Sequence, residues 1–403
     1  MPLFFILDIS RLLSRSGAFA PTGIDRVELA YARYLLDNLP TRSGFCAMHP
    51  LSFMGAIKYE AAAHFIKALS SQWAHQTAGR PALIVATAIQ RDLLWRRVKR
   101  RNGAVYLNVS HHHLTRQRTI KAFLRKTGAR FVAMLHDVIP IDFPEYARPS
   151  EPLRHKRRVE TVTQLADAVI VPSTYVKTTL IRHLGSAIRT MPIWSVPHGV
   201  DYPCDNNSGT PDQIPEIHTL RGRPYFVCLS TIEPRKNHLL LLHLWRRMVD
   251  QLDAKAPVLV LIGKRGWENE NVVDLLERAP ALRDHVIECN AIADVDVHTI
   301  LRGSKGLLFP TFVEGFGLPV VESFIHGVPV LCSDIPVLHE VGGEVAEYLD
   351  PLNAQAWQDA ILDYSNKGAR QLAQLRRMQT WRPVSWEKSV ELAFSYIETE
   401  FSL

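Results

Sequence analysis

Pro310-Thr311-Phe312-Val313-Glu314-Gly315-Phe316-Gly317-Leu318-Pro319-Val320-Val321-Glu322-Ser323-Phe324-Ile325-His326-Gly327 follows a short apolar run, Gly306 to Phe309, and its punctuation predicts strand, glycine turn, helix. Gly315 and Gly317 let the backbone approach a ligand, Pro319 suits a first helical turn and Gly327 a helix end. Free N–H groups at that helix start, helped by the helix dipole, suit a diphosphate. Glu314 precedes the glycines and Glu322 falls in the first turns of the helix, so the two carboxylates flank the cradle and are placed to hydrogen-bond hydroxyls. The glycines do not complete a dinucleotide fingerprint, because Val320 stands where a third would be. Alone, either Glu reads as a solvated or capping carboxylate.

The same rhythm runs outward in both directions. Apolar runs at Leu3 to Leu7, Ala82 to Ala86, Val105 to Val109, Phe131 to Leu135, Ala168 to Val171 and Ile193 to Val196 are separated by helix-length amphipathic segments. Asp201 to Pro211, rich in Asn, Asp, Pro, Gly and Ser, reads as a linker. Strand-like runs then resume at Tyr225 to Leu229, Val258 to Ile262, Val286 to Cys289, Gly306 to Phe309 and Val328 to Leu331. The expected organisation is an N-terminal α/β domain over 1–202, a linker over 203–216, a second α/β domain over 217–384 and a C-terminal helix over 385–403 whose placement is open. Parallel sheets covered on both faces give such continuous runs, and their ligands bind beyond the carboxyl ends of the strands.

A chain of 403 residues, 47% hydrophobic and 22% charged, has the balance of a globular enzyme with two cores. No stretch of about 18 apolar residues occurs, so spanning helices are not expected, and the N-terminal apolar run lacks the flanks of a secretory signal. Cys46, Cys204, Cys228, Cys289 and Cys332 are scattered and without CxxC spacing, as in a reducing, cytosol-like compartment. Residues 1–200 carry 28 Lys+Arg against 12 Asp+Glu, or +16, and residues 201–403 carry 19 against 28, or −9. Clusters at Arg96, Arg97, Lys99, Arg100 and Arg101 and at Arg154, Lys156, Arg157 and Arg158 suit an anionic membrane or a phosphate-bearing substrate. The acidic second half argues against a continuous nucleic-acid track. His111-His112-His113 invites a metal reading, but adjacent side chains diverge on a strand and no HExxH or Cys partner accompanies them.

Glu314 and Glu322 stand at the spacing E-x7-E, and with Gly-Phe-Gly-Leu-Pro between them the stretch resembles the signature of retaining glycosyltransferases of family 4. That resemblance implies the GT-B fold, two Rossmann-like parallel-sheet domains facing a central cleft. Ser230-Thr231-Ile232-Glu233-Pro234-Arg235-Lys236-Asn237 resembles the family's phosphate-binding loop, which gives Arg235 and Lys236 the donor phosphates. Thr231 departs from the family, many of whose members carry an arginine at that place. His136, after Phe131 to Leu135, is similar to the family's His contacting the donor sugar, and Thr22-Gly23-Ile24-Asp25-Arg26 is similar to its loop near phosphates and acceptor. Thr22 equally suits a helix cap. Ile262-Gly263-Lys264-Arg265-Gly266-Trp267 resembles a strand-end loop near the nucleotide base.

The resemblance implies retention by same-face attack, the departing phosphate helping to remove the acceptor proton. Glu314 and His136 would act on the donor sugar. Thr231, Arg235, Lys236, Gly315, Phe316, Gly317, Leu318 and Glu322 would bind the rest of the donor, and Gly23, Ile24 and Arg26 would lie on the acceptor side. Two cations and a helix N-terminus neutralise a diphosphate without Mg²⁺, so neither metal nor cofactor is expected. The partners implied are a nucleotide sugar, a saccharide or lipid-linked saccharide acceptor and an anionic membrane surface, with no nucleic acid. The place implied is the cytoplasm, peripheral on the membrane face. Likeness to bacterial mannosyl- and rhamnosyltransferases of polysaccharide assembly makes GDP-mannose the first donor expected. The alternatives are a non-catalytic nucleotide- or nucleic-acid-binding protein and a phosphorylase or epimerase on the same fold.

Overall fold

Strands that are apolar along their whole length must be covered on both faces, and the computed structural model, which describes residues 2–75, 80–95, 98–185, 191–201, 214–220, 222–290 and 292–402, covers them so. The first sheet comprises β1 Phe4–Asp8, β2 Ser43–Met48, β3 Met54–Ile57, β4 Ala104–Asn108, β5 Arg130–Met134, β6 Ala168–Val171 and β7 Ile193–Ser195. Its order is β3-β2-β1-β4-β5-β6-β7, parallel except for β2 with β3. The second comprises β8 Tyr225–Leu229, β9 Val258–Ile262, β10 Val286–Cys289, β11 Leu307–Phe309, β12 Val330–Ser333 and β13 Glu347–Leu349. It is parallel throughout, in the order β10-β9-β8-β11-β12-β13.

One expected strand is a helix. Ala82 to Ala86 lies in the helix Pro81–Asp92, which buries Ala82, Ala86 and Ile89 and turns Leu83 and Ile84 outward. Burial at i, i+4 and i+7 is helical, and the apolar outer face hides that period from the sequence. Strands β2 and β3 had no clear apolar run to announce them, being built from Ser-Gly-Phe-Cys-Ala-Met and Met-Gly-Ala-Ile. The linker expected over 203–216 lies, for 203–213, outside the described residues, as does Cys204.

The chain forms two compact units that are not contiguous in sequence: Met1–Asp142, Pro149–Gly199 and Val384–Leu403 make the first, Phe143–Arg148 and Val200–Pro383 the second. The expected division at 202 therefore misses an excursion. Phe143–Arg148 belongs with the second unit because the Tyr146 ring stacks on Phe312 at 5.8 Å, the Trp267 indole N–H donates to the Tyr146 carbonyl at 3.0 Å, and the Arg148 guanidinium lies over the Trp267 ring.

The terminal helix, Trp386–Phe401, packs on the first unit. Its Phe394 meets Phe5 of β1 edge-on at 4.6 Å and stacks on Tyr34 at 5.3 Å, contacts worth about 1 kcal/mol each beyond burial. Ser385 caps it by accepting from the Lys388 N–H, and Ser389 Oγ donates to the Pro197 carbonyl at 2.6 Å. Gly199 lets the helix start this close, since a Cβ there would stand 2.4 Å from the Trp386 backbone N and Cα. Backbone cannot yield as a side-chain tip can. Gly199→Ala should therefore destabilise the chain by about 1–3 kcal/mol, read as a lower thermal midpoint. An unchanged midpoint would show that the helix start does not need this approach.

Candidate functional site

In the second sheet the chain leaves β8 for β9 and β10 on one side and returns to β11, β12 and β13 on the other. Open α/β sheets place ligands at such a reversal, beyond the carboxyl ends of the two central strands. Here those ends carry the loops 230–237 after β8 and 310–317 after β11. The loops are bonded to each other: Phe312 N–H donates to the Arg235 carbonyl at 2.8 Å, and Thr311 Oγ1 donates to the same carbonyl at 3.1 Å. The loop after β9 supports the first of them, with Ile232 N–H donating to the Lys264 carbonyl and Gly266 N–H to the Ile232 carbonyl.

Four charges meet where the loops join. Glu314 accepts from Lys236 Nζ and lies 2.9 Å from Arg235 Nη1, while Thr311 lies 3.0 Å from the same carboxylate oxygen, Oε1. Arg235 is held from three directions, by Glu314, by the Val313 carbonyl at 3.0 Å and by Glu233 at 2.6 Å from Nε. Glu233, Lys236 and Glu314 are all buried. Burial alone would raise the Glu314 carboxyl, but Arg235 and then Lys236 outweigh it and hold its pKa at about 2. Burial raises Glu233 and lowers Lys236, the latter also pushed down by the neighbouring Arg235. Asn237 closes the turn in the left-handed region, φ 55°, donating to the Pro351 carbonyl at 3.0 Å.

Gly317, at φ 106°, turns the chain into the helix Leu318–Ile325, with Pro319 in its first turn. A side chain here would be strained and would strike Leu338. Phe316 is buried with Val200 and Val321, and Glu322 lies on the helix itself. The structure thus brings Arg235, Lys236 and Glu314 into direct contact and sets Gly315, Phe316, Gly317, Leu318 and Glu322 along the turn and helix that follow.

The first sheet has the same reversal, between β1 and β4. Asp8, ending β1, accepts from Ser10 N–H at 2.9 Å and Tyr106 Oη at 2.7 Å. Gly23, Ile24 and Arg26 open the helix Gly23–Asn38, and Thr22 flanks it as N-cap, its N–H and Oγ1 both donating to Asp25 Oδ2. Asp25 is anchored by Arg11 at 2.6 Å and Arg15 at 3.2 Å. Behind it Glu28 is fully buried, accepts from the Leu12 N–H, and is pushed by burial up to about 8.

His136, just beyond β5, is buried with Nε2 2.9 Å from the Val109 carbonyl. It stands in a column of imidazoles, 5.0 Å from His111 and 5.5 Å from His198, with His155 5.8 Å from His111. Burial lowers His136 to about 4, and it lowers His111, His155 and His198 as well. His111 sits inside this column at φ 44° and His112 packs against His113, so the triplet is divided between two environments.

Sequence reasoning passed over Thr311, Glu233 and the imidazole column. The first two lay inside motifs already singled out, and the signal was that an Arg-Lys pair entering a buried loop needs more than one acceptor. The column joins residues from four separate loops and helices and has no local signature.

Residues 211–378 match the family described as Glycosyl transferases group 1. The O-antigen chain mannosyltransferase B of Escherichia coli is 27% identical over 261 residues, 64% of this chain and 67% of that one. The serotype-specific mannosyltransferase WbdA of Escherichia coli is 26% identical over 281 residues, 67% of this chain but 34% of its own length. The O-antigen chain mannosyltransferase RfbU of Salmonella typhimurium is 28% identical over 34% of this chain and 37% of its own. The matches thus span about two thirds of the first of these relatives and about a third of the other two. Among solved structures, Anabaena HepE in complex with UDP and glucose superposes with TM-score 0.66 at 15% identity, over 99% of this chain and 100% of that one. A sucrose-phosphate synthase from Thermosynechococcus elongatus does so with TM-score 0.64 at 14% identity, over 100% of both chains. The fold is that of GT-B glycosyltransferases, and residues 211–378, which hold Arg235, Lys236 and Glu314, form a glycosyl transferases group 1 domain.

Proposed function

We propose that the chain is a retaining hexosyltransferase of family 4 that moves mannose from GDP-mannose to a saccharide or lipid-linked saccharide in polysaccharide assembly. The observation that carries this reading is the buried Arg235–Lys236–Glu314 cluster at the strand reversal of the matched domain. Its mannosyltransferase relatives support the choice of sugar. Arg235 and Lys236 stabilise the leaving diphosphate together with the N-terminus of Leu318–Ile325, and Glu314 orients the sugar. Glu322 holds the ribose, and Thr231 and the backbone from Gly315 to Leu318 complete the donor site. His136 contacts the sugar, and the segment from Gly23 to Arg26 faces the acceptor.

Glu233 and Glu314 balance the two cations formally, so an arriving diphosphate makes the cluster negative. The helix N-terminus and backbone N–H groups share that charge, and no metal ion is required. The departing phosphate takes the acceptor proton, so the protein's work is positioning and charge stabilisation. The enzyme works at an anionic membrane surface on the cytoplasmic side.

Glu314→Gln and Lys236→Ala should each leave the fold intact and lower transfer by about 10²-fold or more, checked by thermal melts beside initial rates. Near-normal rates in both variants would remove the site. Transfer should survive EDTA; loss with EDTA and recovery with Mn²⁺ would overturn the metal-free reading. Binding to a panel of GDP-, UDP-, dTDP- and ADP-sugars tests the donor, and preference for another base would replace GDP-mannose.

Stability should depend on pH through the imidazole column. His136 falls from 6.5 to about 4 on burial, so between those values the unfolded chain binds a proton that the folded chain refuses. The contribution is complete above about 6.5 and is lost as pH falls toward 4. Thermal midpoints should drop across that window, and less steeply in His136→Gln; equal slopes in the two proteins would show that His136 does not report the column.

A further inference from the structure

The helix Pro81–Asp92 and the turn after it turn a largely apolar face to solvent. Ile84 is 70% exposed, Trp95 84%, Leu94 48% and Leu83 41%. Ile84, Ala88, Arg91 and Trp95 follow one another at helical spacing, and the opposite side buries Ala82, Ala86, Ile89 and Leu93 in the core of the first unit. A helix on a water-facing surface normally puts polar residues outward. This one is apolar on both sides.

The charges that flank the face along the chain are nearly all of one sign. From Arg80 to Arg101 the sequence has seven basic residues and one acidic, Asp92. Arg80, Arg91, Lys99, Arg100 and Arg101 are all exposed. Two copies meeting through this face about a two-fold axis would oppose like charges, which disfavours self-association. An anionic bilayer meets both features. Tryptophan and aliphatic side chains partition into the interface, while arginine and lysine reach lipid phosphates.

We infer that Leu83, Ile84, Leu94 and Trp95 form an insertion face by which the first unit seats on anionic lipid, with Arg80, Arg91, Lys99 and Arg100 around it. The inference rests on the reading of the chain as a transferase working at a membrane surface. It adds that the attachment has an apolar part, which salt does not screen, beside the electrostatic part, which salt does.

The test is co-sedimentation of the full chain with vesicles of phosphatidylcholine, with and without phosphatidylglycerol, at low and high salt. Wild type should bind the anionic vesicles and keep part of that binding at high salt. The double variant Ile84→Ser, Trp95→Ser should lose the salt-resistant part, lowering the partition constant about tenfold or more. Arg91→Ser with Arg100→Ser should lower the salt-sensitive part. Both variants should melt like wild type and hydrolyse donor alone at its rate, since neither touches the proposed site. Equal binding by the double variant and wild type would overturn the insertion face. So would a wild type that ignores vesicles yet self-associates, with the double variant monomeric. Absence of donor turnover in wild type, with vesicle binding as expected, would count against the transferase reading and leave the face standing.

Discussion

A carboxylate keeps its charge inside a protein only where cations replace the water it has lost. Glu314 meets that condition through Arg235 and Lys236, and much of the second unit serves it. The strand reversal between β8 and β11 brings the two loops side by side, Thr311 ties one to the other, and Gly317 turns the chain away at once into a helix. Remove either cation and Glu314 still faces the other, so the chain stays folded, but the four charges of the cluster no longer balance, which costs more than losing a surface ion pair. The cluster is therefore stable because it is complete. A site made this way is ordered before any ligand arrives, so less side-chain freedom is lost on binding.

The two units reach the same topological solution with different chemistry. In both, two central strands pair in parallel while the chain leaves them toward opposite edges of the sheet, the arrangement that places a crevice at their carboxyl ends. The second unit fills its crevice with compensated charge. The first places there Asp8 among hydroxyl and amide donors, Glu28 kept largely protonated near neutrality by burial, and imidazoles kept neutral by the same cause. Burial pushes Glu28, the imidazoles and Glu314 alike toward their neutral forms, and at Glu314 the two cations outweigh it.

The reading of the sequence was surest where the chain's local needs and its global fold agreed. The turn from Glu314 to Pro319 is visible because glycines, proline and carboxylates at that spacing have few other uses, and it is found as a turn into a helix. A strand such as Val258–Ile262 is an uninterrupted apolar run in which burial on both faces leaves nothing else to read. Pro81–Asp92 failed because its outward residues are apolar too, which erases the period that separates helix from strand. Glu233 failed differently: its partner Arg235 was recognised, but which acceptor a guanidinium finds depends on how a loop folds back, and no local pattern states it.

The chain passes between units more than once, because Phe143–Arg148 joins the second and Val384–Leu403 returns to the first. Neither unit can be obtained by cutting the gene in two. A fragment ending at Gly199 would lack Phe394, leaving the rings of Phe5 and Tyr34 without their cover, and the remaining piece would carry an unaccompanied amphipathic helix. During synthesis the first unit must wait, incomplete, until the ribosome has made the whole of the second. An exchange of domains between related chains therefore has to carry the terminal helix with the N-terminal half, and a crossover that ignores this joins a core to a lid shaped for another.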